Sequence, residues 1–498
     1  MTLIEYIVIA FYFGAIAFIF SYSLIQLDLL RLYKTHSRSK PDPLFSKEKP
    51  LVCIQLPIYN ERYVVERLID SCLKFNYPHD RLEIQILDDS TDDTTKIIEE
   101  KLSAIQSEIS LVHVRRPDRT GYKPGALAYG MERTKADYIA IFDADFIPDP
   151  EFLNRTMCQF VDKRVGVVQT RWTHLNEDAD WMTRIQAFGL NAHFTVEQMG
   201  RAEGNHFLNF NGTAGIWRKE CIAQAGGWQH DTLTEDLDLS YRAQFKGWRI
   251  AYDEDIESPA ELPITMGALK SQQFRWTKGA AQCSVKHLPN LIRSKNISLK
   301  SRIHAIFHLM NSFVFIAILM VSALSIPIMH IRSKYDNPIL VDLLGTVFLS
   351  SLMILGVYYH TAYIKANPKG GLPTFLGTYL LFLSASMGMS FHNSRAVFEA
   401  YAGIDSAFVR TPKFNVQRTK QWISNEYISQ IAMSEVLVEI CLSLLFTAAL
   451  IYGVFTAEYA FVFFHSLLAV GFGVLAFTAV AQNKALTSHH STMKASAL

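Results

Sequence analysis

Two patterns of apolar and polar positions divide the chain. Between residues 51 and 170, short β-rich runs (LVCIQLPI, EIQILD, LVHVRR, YIAIFD and VGVVQT) alternate with polar stretches of helical pattern. Short buried runs separated by helical segments predict a parallel α/β sheet with right-handed crossovers. Such a sheet presents its chemistry at the carboxyl ends of the strands. Elsewhere the apolar runs are longer: Ile4–Leu30, Ile303–Ile328, Ile339–Tyr359, Ser434–Val454 and Tyr459–Val480 each reach the roughly 20 residues that cross a bilayer. A shorter run, Phe375–Phe391, reads as re-entrant or lying in the membrane interface, which gives five spans, with six as the alternative count.

The first run has no basic residue ahead of it and no small-residue cleavage site, so it reads as an anchor. RLYKTHSRSK follows it, and the positive-inside rule places that end in the cytoplasm. The loop from His392 to Met433, carrying Arg395, Arg410, Lys413, Arg418 and Lys420, falls on the same side if two spans precede it. The resulting organisation is an N-terminal transmembrane helix (1–31), a cytoplasmic α/β domain (32–263) and a polar segment with interfacial helices (264–302). Two spans (303–362), a re-entrant segment and cytoplasmic loop (363–433), two further spans (434–482) and a polar, disordered tail (483–498) complete it. This is an integral protein of a cell inner membrane or an endomembrane.

Composition agrees with a mixed protein. With 49% hydrophobic and 19% charged residues, the chain is too apolar for an ordinary soluble enzyme and too polar in its middle to be all membrane. A formal charge of +1 argues against a nucleic-acid partner, which demands a basic excess. The six cysteines are scattered without a CxxC pair and read as reduced thiols.

The acidic residues cluster at the strand ends: PIYNE (Pro57 to Glu61), DDSTDD (Asp88 to Asp93) and DAD (Asp143 to Asp145). One such Asp is usually a helix cap or turn residue. Three acidic strand ends in order are harder to explain that way, and two carboxylates one residue apart can hold a hard divalent ion, Mg or Mn, that also takes phosphate oxygens. Neither GxxxxGK[ST] nor GxGxxG is present in this region. Further on come the turn FNGTAG (Phe210 to Gly215) and the helical stretch TEDLDLSYRAQFKGW, for which Thr234 is a candidate N-cap and Asp236 a candidate general base. SQQFRWTKG (Ser271 to Gly279) lies just ahead of the second apolar block; alone it would pass for an interfacial anchor, and the basic stretch after it for an interfacial helix.

The ordered set PIYNE, DDSTD, DAD, FNGTAG, TED and QxxRW resembles the membrane-integrated, inverting glycosyltransferases of family 2, and within them the cellulose synthase-like branch of mannan and xyloglucan-backbone synthases. WMTRIQAFGLNAHFTVEQ, FNGTAGIWR and AGGW strengthen the likeness, and FVRTPKF (Phe408 to Phe414) resembles the loop that closes over the nucleotide in processive members. The resemblance implies a GT-A-type fold with a Rossmann-like mixed sheet beside a helical membrane region. It implies donor contacts from Tyr59, Glu61, Asp88 or Asp89, Lys123, Asp143, Arg275, Thr411 and Lys413, and a divalent metal on Asp143 and Asp145. Asp236 becomes the base, and Gln272, Trp276, Thr213 and Glu235 face the acceptor. The implied partners are a UDP- or GDP-hexose, UDP-glucose and GDP-mannose being equally open, a growing β-glycan and membrane lipids, with any export partner unassigned. A lipid acceptor of ceramide or diacylglycerol type is the alternative.

Other features carry blander readings. His193 and His206 lack partners at metal-ligand spacing and read as packed or surface histidines. His489 and His490 fall in the tail, Trp172, Trp181, Trp217 and Trp228 in the core, and Glu435 and Glu439 at the cytoplasmic interface.

Overall fold

The computed structural model describes residues 1–35, 49–335, 339–406, 409–415 and 421–496. Phe408, Arg418 and Lys420, together with the second half of the basic stretch after the first anchor (residues 36–40), lie outside the described residues.

Seven strands form one sheet: β1 (Val52–Ile58), β2 (Leu82–Asp88), β3 (Ser110–Val114), β4 (Tyr138–Ile141), β5 (Val165–His174), β6 (Gly215–Arg218) and β7 (Arg249–Ala260), in the order β3-β2-β1-β4-β6-β5-β7. β6 runs antiparallel to β4 and β5, and every other pairing is parallel, so the sheet is mixed. The five apolar runs are strands β1 to β5. β1 and β4 are buried on both faces by helices, which is why they read as near-continuous apolar runs. The polar exceptions pair with each other: Gln55 stands opposite Gln85 in register, and its amide donates to the Gln85 Oε1 at 3.1 Å, as buried polar groups must.

Helices Leu3–Thr35, Phe313–Lys334, Ile339–Ala366, Met433–Phe455 and Tyr459–Ser496 each hold a stretch long and apolar enough to cross a membrane. Leu372–Gly388 and Ser390–Tyr401 form a pair bent by 46°. The pair starts with Phe375 packed on Tyr363, near Lys365 and its ion pair to Glu254 of β7, and ends with the Tyr401 hydroxyl on Ser284 at 2.7 Å. One end thus lies by the sheet and the other on the Met266–Arg293 helix; such a bent pair is a broken span or a re-entrant loop, so the count of spans is five or six.

Three expectations are corrected. The second span begins at Phe313, because Ile303 belongs to a separate helix, Leu299–Leu309, that a break at Met310–Ser312 divides from it. Residues 264–302 hold one 28-residue helix, Met266–Arg293, with Lys270, Thr277 to Ala281 and His287 buried within the protein, and the start of the Leu299–Leu309 helix. Thr234 stands ahead of the Glu235–Phe245 helix, but its hydroxyl makes no cap and lies 3.5 Å from the Cys283 Sγ. The tail is helical to Ser496, because Gln482 and Asn483 dock it: Gln482 accepts from the Met266 N–H at 2.7 Å, and Asn483 bonds both the N–H and the carbonyl of Ile431.

Candidate functional site

The carboxyl ends of β1, β2 and β4, the FNGTAG turn, the start of the Glu235–Phe245 helix and the 409–415 loop enclose a cavity of about 200 Å³. Tyr59, Glu61, Asp89, Lys123, Asp143, Asp145, Glu235, Asp236, Gln272, Arg275, Trp276, Thr411 and Lys413 all line it. Two expected residues lie behind the lining. Asp88 is fully buried, accepting from Thr95 Oγ1 at 2.8 Å and the Ser90 N–H at 2.8 Å and lying 3.1 Å from His113 Nε2, so Asp89 is the acid of that pair at the cavity. Thr213 is also buried; its hydroxyl accepts from the Asp143 N–H at 2.8 Å and so props the acidic turn.

The acidic pair after β4 is already balanced by lysines. Lys123 donates to Asp143 at 2.6 Å and to the Gly212 carbonyl at 3.0 Å, while Lys413 donates to Asp145 at 2.8 Å. The Glu261 N–H adds a bond to the same Asp145 oxygen at 3.1 Å, yet the other, Oδ1, is buried without a partner. Oxygen donors one residue apart, one of them orphaned, fit a hard divalent cation such as Mg or Mn.

Asp236 and Glu235 open the helix on the far side. Burial, then the neighbouring Glu235 carboxylate, pushes the Asp236 carboxyl up to about 7, and burial likewise raises Glu235. Gly212 is required here: its φ is +82°, and a Cβ would stand 3.0 Å from the Asp236 Oδ2 and 3.5 Å from the Lys123 ammonium. Arg275 enters from the Met266–Arg293 helix; burial lowers its pKa to about 10, and it donates to Thr411 Oγ1 at 2.7 Å.

The 409–415 loop is clamped across the opening. Arg410 pairs with Glu61 at 2.7 Å, and Glu261 accepts the N–H groups of Phe414 and Asn415 at 3.0 and 3.1 Å while Arg67 holds its other oxygen at 2.8 Å. Burial pushes Glu61 up to about 7 in spite of Arg410. Trp276 also lines a second cavity of about 350 Å³ between membrane helices, among Tyr22, Phe315, Leu352, Tyr359 and Phe382.

The structure adds lining residues to which the sequence reading gave no role: Arg119, Arg410, Glu261 and Asn211. Asn211 lies within the recognised FNGTAG turn and Arg410 within FVRTPKF, so the motifs themselves were an available signal; Arg119 and Glu261 had none. His193 is a packed residue, its ring bonding Glu197 at 2.9 Å and Asn211 at 3.1 Å. His206 stacks on His304 beside Asp28, whose carboxylate already pairs with Lys300 and Arg31.

Residues 50–279 match the profile described as glycosyltransferase like family 2. Glucomannan 4-beta-mannosyltransferase 9 of Arabidopsis thaliana is 34% identical over 398 residues, covering 75% of this chain and 70% of that one. Glucomannan 4-beta-mannosyltransferase 7 of the same plant is 39% identical over 57% of this chain and 52% of its own, and glucomannan 4-beta-mannosyltransferase 1 of Oryza sativa subsp. japonica 40% over 56% and 55%. The match spans about half the length of these last two relatives. Among solved structures, the mannosyltransferase PcManGT from Pyrobaculum calidifontis, in complex with GDP-Man and Mn2+, aligns over 80% of this chain and all of its own with a TM-score of 0.56 and 17% identity, a likeness of fold. The fold is of the GT-A type. The chain belongs to glycosyltransferase family 2, in its cellulose synthase-like branch.

Proposed function

We propose that the chain is an inverting hexosyltransferase that moves a sugar, mannose by analogy with its mannosyltransferase relatives, from a nucleotide donor to a growing β-glycan. The observation that carries this reading is the disposition of charge around one cavity: Asp236 on one side, Lys123, Arg275 and the Asp143/Asp145 pair on the others. In an inverting transfer the acceptor hydroxyl loses a proton as it attacks the anomeric carbon, and the nucleoside diphosphate departs with negative charge. Asp236 takes the proton, its raised pKa making it a competent base near neutrality. Arg275 and Lys123 stabilise the departing diphosphate, the guanidinium through paired charge-assisted bonds. Asp143 and Asp145 would hold Mg or Mn, which when bound neutralises diphosphate oxygens. Lys413 and Thr411 bring the loop over the donor, and Tyr59, Glu61 and Asp89 bound its nucleotide end.

Gln272 and Trp276 receive the acceptor. The flat Trp face covers the C–H side of a sugar ring. Because Trp276 borders the membrane cavity as well, the glycan leaves past it and along the membrane helices, so the reaction is processive and the product crosses the bilayer. The α/β domain then faces the cytoplasm, where nucleotide sugars are supplied.

The test uses the purified full chain in nanodiscs with Mg or Mn and radiolabelled UDP- and GDP-sugars. Label in a polymer that linkage-specific hydrolases digest supports the proposal and names the donor. Label confined to the lipid phase makes the acceptor a lipid, and no transfer from any donor overturns the reading.

A further inference from the structure

Arg119 is the unexplained charge in the cavity. It lies in the segment between β3 and the Tyr122–Met131 helix, half-buried, its guanidinium carbon 3.3 Å above the Tyr59 ring and 4.9 Å from the Tyr122 ring. Its neighbour Arg116 is saturated: both Asp89 oxygens at 2.7 and 2.6 Å, the Thr120 carbonyl at 2.6 Å and the Tyr122 carbonyl at 2.7 Å. Arg119, by contrast, makes no hydrogen bond or ion pair among the described residues, and its Nε is buried without a partner. A buried N–H donor such as this Nε is costly to leave without a partner. Stacking on Tyr59 fixes the plane of the group and leaves its N–H edges as the unused donors. The site is therefore built for a planar acceptor that arrives with the ligand.

The position decides which part of the ligand this is. Lys123, Asp143, Glu235, Asp236 and Arg275 act on one another, and the proposed chemistry puts the diphosphate and the sugar among them. The charged neighbours of Arg119 are Asp89 and Arg116 at the β2 end, which is where the nucleobase remains to be placed. Guanine offers O6 and N7 as two adjacent acceptors that match the fork of an arginine; adenine puts an amino group in place of O6, and uracil has no such pair.

The geometry points to Arg119 as the residue that reads the O6/N7 edge of guanine, which makes the donor a GDP-sugar. This rests on the proposed function and adds the residue that selects the nucleotide. The experiment measures binding of GDP, 7-deaza-GDP, ADP, UDP and pyrophosphate to the full chain in detergent with Mn, for wild type, Arg119→Gln and Arg119→Lys. Wild type is expected to bind GDP about 10- to 100-fold more tightly than ADP or UDP, with 7-deaza-GDP about tenfold weaker than GDP. Arg119→Gln should erase that preference while pyrophosphate affinity stays within about twofold. Arg119→Lys keeps the charge without the fork, so it should lose the preference too, and an unchanged unfolding temperature in either variant removes misfolding as the cause. A wild-type preference for UDP, a GDP preference that survives both substitutions, or an equal loss for all ligands including pyrophosphate overturns the assignment. Sugar transfer that continues in any of those cases leaves the transferase reading standing, whereas binding of no nucleotide at all would sink both.

Discussion

The Asp236 carboxyl holds its proton to about 7 because it is buried and shares the helix start with Glu235. A group of this kind is half neutral at physiological pH, and the fraction able to accept a proton grows as pH rises. Single-turnover transfer is therefore expected to climb between about pH 6 and 8 and then level off. Asp236→Asn removes the proposed base but keeps the shape, so transfer should fall by about 10²- to 10⁴-fold while donor affinity is retained. A variant that transfers at the wild-type rate, or a wild-type profile flat across that range, would remove Asp236 from the base role.

At the scale of elements, what holds that carboxylate in place is the seating of the Glu235–Phe245 helix on the Met266–Arg293 helix. Asp238, one turn in, has no exposed side-chain surface and meets His287 at 2.8 Å, Lys286 at 2.8 Å and Arg242 at 2.8 Å. Burial alone would raise its pKa, but the bonds to His287, Arg242 and Lys286 outweigh it and hold the carboxyl well below the usual range. The sign follows from linkage: a depressed folded-state pKa contributes stability that is complete above the unfolded value of about 4 and is lost as pH falls through the folded one. Asp238→Ala strands three donors and should destabilise the detergent-solubilised protein by about 3–5 kcal/mol, read as a lower unfolding temperature at pH 7 with the gap narrowing in acid. A gap that does not narrow would mean the pair is not what joins the helices. None of this pairing was legible in TEDLDLSYRAQ, where Asp238 is one more acid in a first turn. β1 to β5 were legible because helices bury them into plain apolar runs, whereas β6 has four residues and β7 interleaves acids with its buried positions. The Met310–Ser312 break was hidden because residues on both sides are apolar. The site was legible where a short motif carries it, as in DAD or QxxRW, and illegible where distant segments meet, as in Glu61 with Arg410 or the lone Arg119.

At the scale of the whole molecule, the Met266–Arg293 helix joins the cavity, its loop and the membrane. Gln272, Arg275 and Trp276 face the cavity and Arg275 holds the loop through Thr411. Lys270 pairs with Glu439 at 2.5 Å, Lys278 pairs with Glu399 at 3.0 Å, and Lys278 also donates to Ser406 at the stem of the loop. Glu435 and Glu439 thus lie where the membrane helices meet this helix, with Lys270 as their shared partner. A helix anchored on both sides cannot easily shift, so a sugar that advances past Trp276 has to move relative to a fixed ring. Trp276→Ala removes the one ring that, among the described residues, borders both cavities. It leaves Asp236, Arg275 and the acidic pair untouched, so hydrolysis of the donor by water should stay within about threefold. Transfer to glycan should fall about tenfold or more, since burying a large apolar face is worth roughly 1.5–3 kcal/mol, and the polymer that forms should be shorter. Equal losses of hydrolysis and transfer would place Trp276 in support of the donor, and the path from the cavity to the membrane would then have to run elsewhere.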